Sequence, residues 1–428
     1  MRRTRAGGDP IRCNAKNLIP YMSGLGRVLT GRMAVAADGE SCKVELGADY
    51  KEIRESVARL CGRFQGEYWR ALEQQQGYPN EFVGALTEAG YLGALIPEKY
   101  GGAELPLRAA AVILETIHAH GCNAGACHAQ MYMMGTLLRH GSEEQKARYL
   151  PKIASGALRL QAFGITEPST GSDTTQLRTR AVRQGDHYVV NGQKVWTSRA
   201  LHSDLMLLLA RTTPADRVAK RSEGLSVFLV DLRDAKGNGL EIRPIEAMVN
   251  HNTTEVFFND VRLPVSALIG VEGKGFRYIL DGMNAERILV AAEAIGDARY
   301  FVRRATAYSR ERVVFGRPIG QNQGIQFPIA RAYAETEAAE LMVRKAAALF
   351  DAGLACGAAA NLAKLLASEA CWNAGEACLQ TFGGFGFARE YDIERKWRET
   401  RLFRTAPIST NMVLAYLGEH VLGMPRSY

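Results

Sequence analysis

Residues Gln161 to Ser198 read QAFGITEPSTGSDTTQLRTRAVRQGDHYVVNGQKVWTS, and this stretch decides the fold. In its first part, Thr166, Ser169, Thr170, Gly171, Ser172 and Asp173 make a loop of small side chains, hydroxyls and open backbone N–H groups. A flat or phosphorylated ligand can approach such a loop closely, because little side chain stands in the way. The second part is strand-like. His187 to Val190 runs as one strand, Asn191-Gly192 carries a type I′ turn signal, and Gln193 to Ser198 is expected as the returning strand of a hairpin. That hairpin would hold Trp196 beside the polar loop. An indole face next to a cluster of donors suits a flat heteroaromatic ring better than a free phosphate.

Outward from this stretch the hydrophobic period changes on both sides. Residues 47–158 read as helices. Ile53, Val57, Leu60 and Phe64 recur at helical spacing, and a second helix carries Phe82 and Leu86 before a stop at Gly90. Two strongly apolar helices follow at about 107–120 and 124–140. Ser142-Glu143-Glu144-Gln145 is a capping box, opening a helix expected to end before Pro151. Met131, Met133 and Met134 read as core, with contact to a flexible acyl chain as the alternative. Residues 159–272 switch to strand-like runs at Tyr188–Val190, Lys194–Trp196, Leu205–Leu209, Leu225–Val230 and Glu255–Phe258. From residue 273 the helical period returns. Phe276, Ile279, Leu280, Met283, Ile288 and Leu289 mark a first long helix. Others are expected at about 323–352, 357–382 and 408–422. The fold class is therefore mainly α with a β middle domain.

The chain has 428 residues, enough for two or three domains with large cores. No apolar run reaches the ~20 residues that a membrane span needs. Net charge is +8, and part of it comes from Arg2, Arg3, Arg5, Arg12, Lys16, Arg27 and Arg32, faced only by Asp9. Residues 1–46 are read as a basic, disordered tail. Sequence upstream of a true start at Met33, or a transit-type peptide, are the alternatives. Eight cysteines scattered through a large chain point to a reducing compartment rather than a disulfide framework. His118, His120, Cys122, Cys127 and His128 cluster in sequence, but at no common zinc spacing. Burial at helix ends is the better account, and no metal site is expected.

Glu286 lies in MNAERILVAAEAIG, on an otherwise apolar helix. A carboxylate in an apolar wall can act as a general base, because desolvation raises its pKa towards neutrality. On the residues alone, an intrahelical partner for a nearby basic residue is the simpler account.

GITEPSTGSD resembles the first signature of the acyl-CoA dehydrogenase flavoenzymes, with Glu167, Pro168, Gly171 and Asp173 at matching spacing. KVWTS resembles the strand that follows it. Arg312-Val313-Val314-Phe315-Gly316-Arg317 with Gln323 resembles the family's RxxFG…Q segment. Gln380 to Phe387, followed by Glu390 and Arg395, resembles its second signature. The resemblance spans about residues 47–428. It implies a helical domain at 47–158, a β-barrel or sandwich domain at 159–272 and a four-helix bundle domain at 273–428.

The resemblance also implies FAD as cofactor. Phe163, Ile165, Thr166, Gly171, Ser172, Trp196, Thr197 and Ser198 would contact it. Arg312, Phe315, Gln323, Gln380, Gly383 and Gly384 would complete the site. An arginine and a glutamine suit a pyrophosphate, and glycine N–H groups can cradle one. In family members these two later segments reach the FAD of a neighbouring subunit, which implies a homodimer or homotetramer. Ser172, Asn284 and Arg287 would contact the acyl-CoA substrate. Most members carry the catalytic base near the C-terminus, but Ala406-Pro407-Ile408-Ser409-Thr410 holds no carboxylate there. The isovaleryl-CoA and long-chain branches place it on the long helix before an arginine, which Glu286-Arg287 matches. The implied reaction is α-proton abstraction by Glu286 with β-hydride transfer to flavin N5, giving a trans-2-enoyl-CoA. Electrons would pass to an electron-transferring flavoprotein. Pro407 has no N–H for the thioester oxygen, so either Ile408 donates or the substrate sits differently.

Acyl-CoA oxidases and flavin monooxygenases share the fold and stand as alternatives, as does a flavin-containing nucleic-acid-binding branch. Nucleic acid is not the expected partner, because much of the basic excess sits in the tail and no basic extension follows Tyr428. A bacterial-type cytoplasm is the expected location, or the mitochondrial matrix if the basic N-terminus is a transit peptide.

Overall fold

A computed structural model describes residues 46–426 of the chain. The tail, start-site and transit-peptide readings concern residues before Leu46, outside that range.

Six helices come first: α1 (Lys51–Cys61), α2 (Gly66–Gln75), α3 (Asn80–Glu88), α4 (Leu107–Ala119), α5 (Gly125–His140) and α6 (Glu143–Ala154). Ser142 opens α6 through the expected capping box, its hydroxyl accepting from Gln145 N–H while the Gln145 side chain accepts from the Ser142 amide. The helix does not stop before Pro151 as expected. It runs through that proline to Ala154. Pro151 is exposed, so the carbonyl it leaves without an N–H partner faces water, while Leu150 and Ile153 bury the opposite face.

The middle of the chain forms β1 (Leu160–Gly164), β2 (Arg180–Gln184), β3 (His187–Ser198), β4 (Leu205–Arg211) and β5 (Leu225–Asp231). The short α7 (Leu232–Ala235) follows, then β6 (Leu240–Pro244), β7 (Thr253–Pro264) and β8 (Leu268–Ile269). The sheet order is β6-β7-β3-β2-β4-β5-β8, with β1 parallel to β4.

One expectation fails here. There is no hairpin at Asn191-Gly192, because β3 runs straight through it for twelve residues. A type I′ turn needs left-handed backbone at both central residues, and Asn191 is not left-handed. Its amide side chain instead pairs with Asp260 across the sheet, at 2.9 Å to the carboxylate and 3.1 Å from the amide nitrogen. Gly192 is required by close approach: a Cβ there would lie 2.6 Å from Thr179 Cα. The register between β3 and β7 slips at this point, so Asn-Gly marks a bulge. The real turn is Gly185-Asp186, with Gln184 opposite His187 and Gly185 at φ 64°.

The C-terminal part comprises α8 (Gly275–Glu311), a small ribbon of β9 (Val313–Val314) and β10 (Arg317–Pro318), and then α9 (Gln323–Asp351), α10 (Gly357–Phe382), α11 (Ile393–Thr400) and α12 (Thr410–Tyr416). Helix α8 is the axis of the protein. It packs on α4, α5, α9 and α10 and is buried continuously from Ile288 to Ala298. Helix α4 comes close enough that a Cβ on Gly296 would meet the Glu115 carbonyl oxygen at 2.2 Å. Met131, Met133 and Met134 are all buried in hydrophobic clusters, as the core reading expected. Gly296→Leu is expected to lower stability by about 1–3 kcal/mol through overpacking of the α4–α8 crossing, measured by denaturant unfolding.

Candidate active site

The loop after β1 is folded on itself and fastened to β3. Glu167 and Thr170 exchange backbone hydrogen bonds at 3.1 and 3.0 Å, closing a tight turn over Pro168 and Ser169. The Asp173 carboxylate accepts from the Thr175 amide at 3.2 Å and its hydroxyl at 2.6 Å. The Glu167 carboxylate accepts from the amides of Arg178 and Thr179, at 2.7 and 2.9 Å, and from Lys194 Nζ at 2.9 Å. Lys194 also donates to the Ile165 carbonyl at 2.9 Å. Val195 N–H donates to the Thr166 carbonyl at 2.9 Å. Lys194 is wholly buried, and burial presses its pKa down to about 8. Burial also opposes the Glu167 charge, but Lys194 and the two amides outweigh it and hold Glu167 below the usual carboxylate value.

Trp196 does stand beside this loop, by another route than a hairpin. The β3–β7 register slips again between Lys194 and Thr197, and Trp196 sits in that bulge with φ 59°. For a bulky side chain this is a strained conformation, and the indole is left 60% exposed. Around it, Gly171 and Ser172 are exposed, Gly171 has open space where a Cβ would be, and Phe163, Ile165, Thr166 and Ser198 are part-exposed. The hydroxyls of Thr170 and Thr197 are buried with no hydrogen-bond partner. An open indole, bare loop amides and two orphaned hydroxyls fit a flat, polar-edged ring such as that of FAD.

Arg312, Phe315, Gln323, Gln380, Gly383 and Gly384 lie at the other expected segments, and all are exposed. The tip of the β9–β10 ribbon is Phe315-Gly316, at φ 52° and 75°, the backbone that a type I′ turn requires. The Arg312 guanidinium lies 5.5 Å from the Phe385 ring centroid, so the RVVFGR ribbon and the GGFGF loop form one surface. A Cβ on Gly383 or Gly384 would meet nothing within 4 Å. Bare glycine N–H groups beside a guanidinium fit a pyrophosphate.

On α8, Glu286 is buried, and its carboxylate accepts no hydrogen bond from any described residue. Burial pushes its pKa up to about 7, with His128 and Arg287 pulling the other way. Arg287 donates to Asn284 Oδ1 at 3.0 Å, while its Nε is buried without a partner. The Ile408 carbonyl is held by Lys364 Nζ at 2.8 Å, and the Ile408 N–H donates to no described residue.

Several charged residues near this site were not read as functional from sequence. His128 Nδ1 lies 3.3 Å from Glu293 on α8. His118 Nδ1 lies 3.0 Å from Asp297, and Lys396 on α11 lies 2.7 Å from both Asp297 and Glu399. Glu286, Glu293 and Asp297 are spaced by seven and four, so they share one face of a helix that is otherwise apolar. That spacing was the available signal. Helix α11 was missed because its own apolar content is small.

Three family models match the chain: the acyl-CoA dehydrogenase N-terminal domain at residues 47–157, the middle domain at 162–261 and the C-terminal domain at 273–421. The chain belongs to the acyl-CoA dehydrogenase family. These are FAD-dependent oxidoreductases that act on the CH–CH bond of acyl-CoA thioesters. The chain is 35% identical over 379 residues to acyl-CoA dehydrogenase FadE12 of Mycobacterium tuberculosis, covering 88% of this chain and 96% of that protein. A solved glutaryl-CoA dehydrogenase in complex with glutaryl-CoA matches with TM-score 0.82 and 30% identity, over 90% of this chain and 97% of that one. The butyryl-CoA dehydrogenase of Megasphaera elsdenii matches with TM-score 0.80 and 27% identity, over 88% and 100%. Lys194→Met is expected to cost roughly 3–5 kcal/mol by leaving Glu167 buried and unpaired. Adding Glu167→Gln to that variant is expected to cost less than the two single changes summed, measured as a double-mutant cycle in denaturant.

Proposed function

We propose that the chain dehydrogenates an acyl-CoA between its α and β carbons, with Glu286 as the base that removes the α-proton. The observation that carries this is a buried carboxylate to which no described residue donates and whose pKa burial pushes up to about 7. Desolvation keeps such a group basic enough to act and discriminates against water as a competing proton source. FAD, when bound, supplies the hydride acceptor for the β-hydrogen. Phe163 to Ser172 and Trp196 to Ser198 would hold the ring. Ser172, Asn284 and Arg287 would contact the CoA portion, the last two as a pre-formed hydrogen-bonded pair on the helix of the base. The Ile408 N–H, which donates to no described residue, is the candidate to polarise the thioester oxygen in place of Pro407. An electron-transferring flavoprotein is the proposed electron acceptor.

We further infer a homo-oligomer. Phe315 is fully exposed on a strained turn, and Phe385 and Phe387 are 42% and 74% exposed beside it. Aromatic surface of this kind marks an interaction site, and a second subunit is the partner that the family resemblance implies.

Three outcomes are expected. In anaerobic titration with a panel of acyl-CoAs, the wild-type flavin bleaches with at least one of them, while Glu286→Gln binds the same compound without bleaching. Reduction by a variant as fast as wild type would remove Glu286 from the role. Because the active form of the base is ionised, the flavin reduction rate should rise with pH through about 7 and level off above it, measured by rapid mixing. Phe315→Asp should lower the assembly mass in light scattering and weaken FAD retention; an unchanged mass would count against the interface.

A further inference from the structure

Arg199 follows Ser198 directly, at the end of β3, on left-handed backbone at φ 60°. The residue is only 9% exposed. Its Nη2 donates to His251 Nδ1 at 3.2 Å. Among the described residues no carboxylate comes within 4 Å of the guanidinium, and its Nε and Nη1 donate to none of them. A cation buried in this way is costly without a counter-ion. Its position raises the cost. A Cβ on Gly125 would lie 2.3 Å from Arg199 Nη2, so the guanidinium rests on the first residue of α5, at the positive end of a 16-residue helix. Burial presses its pKa below the ordinary arginine value. Tyr78, Tyr132 and Glu293 favour its charge. Burial holds both phenols above their ordinary value, hence neutral, and Glu293 is engaged by His128 at 3.3 Å.

The guanidinium lines a cavity between α2, the start of α5, the β6–β7 loop and α11, with Trp69, Ala126, His251 and Arg395 among its walls. Two acids also line it, Glu73 and Glu399. Both are taken. Glu399 is held by Arg395 at 2.8 Å and by Lys396 at 2.7 Å, and Glu73 by Arg398. Arg199 is thus the charge in the cavity wall that has no opposite charge bound to it. Burial and Arg199 press His251 down to about 4, so its imidazole is neutral at working pH. With Nδ1 accepting from Arg199, the ring proton sits on Nε2, a second donor that no described residue takes up. Trp69, Leu72 and Ala126 give the cavity an apolar side, the Trp69 N–H being engaged by the Phe64 carbonyl at 3.2 Å.

We propose that this cavity binds a carboxylate, with its oxygens on Arg199 and His251 and its carbon tail against the apolar side. A planar acceptor with two oxygens matches the guanidinium fork, and the apolar wall suits a carbon tail better than an inorganic ion. Two sources share this chemistry: a free small carboxylate, and a carboxylate at the far end of an acyl chain. The second source rests on the dehydrogenase reading, in which Trp196 to Ser198, immediately before Arg199, hold the flavin. The first source does not depend on it.

The test uses the FAD-loaded holoenzyme and takes acetate as the probe, exchanged for chloride at constant ionic strength while thermal unfolding is followed. The wild-type melting temperature should rise with acetate and saturate. Arg199→Asn, chosen because Asn tolerates left-handed backbone, should need about tenfold more acetate or show no rise. Should that variant lose its fold, Arg199→Lys carries the same test, because it keeps the charge and loses the planar fork. A second arm reads the source, comparing flavin reduction by acyl-CoAs of equal chain length with and without a terminal carboxylate. A KM about tenfold lower for the carboxylated compound, lost in Arg199→Asn, assigns the cavity to the acyl chain. Acetate stabilisation that depends on Arg199, without such a preference, assigns it to a free carboxylate. If wild type and variant respond alike in both arms, the proposal is overturned. The two readings fail separately. If no acyl-CoA bleaches the flavin while acetate stabilises the wild type and not the variant, the cavity stands and the dehydrogenase reading has failed.

Discussion

Three carboxylates buried along one face of α8 set the terms for the rest of the molecule. Each would be prohibitive in an apolar interior unless paired or neutralised. Asp297 is met by Lys396 and His118, and Glu293 by His128 and His118. Of the three, Glu286 alone has no ion-pair partner among the described residues. The two ion-paired carboxylates recruit α4, α5 and α11 around α8, because their partners sit on those helices. Helix α11 also grips the α4–α5 turn, with Lys396 and Arg395 donating to the carbonyls of Cys122 and Gly121 at 3.1 and 3.0 Å. The unpaired carboxylate is the one proposed as the catalytic base. Ion pairing at one end of the helix face and none at the other would let a single helix serve both as core and as the proposed catalytic wall.

The β domain solves a parallel problem. A loop of bare amides cannot hold its own shape, because it has no side chains to pack. Glu167 supplies the shape from below by collecting two amides and the Lys194 ammonium. Both ions are buried, so the pair is a rigid peg rather than a surface bridge. The same peg fixes where β3 bulges, and the bulge turns Trp196 outwards. Loop and indole are therefore held in one arrangement before any ligand arrives.

Much of this was legible in the sequence. The helical periods of residues 107–140 and 275–311 came through because those helices are buried and their apolar residues follow the 3.6 repeat. Glu286 was visible as an acid among apolar residues. Asn191-Gly192 misled because the same dipeptide serves a turn and a bulge, and only the partner strand decides which. Pro151 misled because a proline near a helix end costs little when the carbonyl it strands is open to water. His128 was read with its neighbours as a sequence cluster, yet its partner lies 165 positions further along the chain, at Glu293. Pairings of that range leave no local periodicity to read.

The orphaned polar atoms carry one more consequence. Thr170 and Thr197 hydroxyls, the Nε of Arg287 and the Nε2 of His128 are all buried without partners. Each unmade hydrogen bond weakens the empty fold by about 1–3 kcal/mol. A ligand that satisfies some of them binds the folded chain and not the unfolded one, so its free concentration raises the folded fraction by mass action. Cofactor supply then governs not only how active the protein is but how much of it escapes proteolysis.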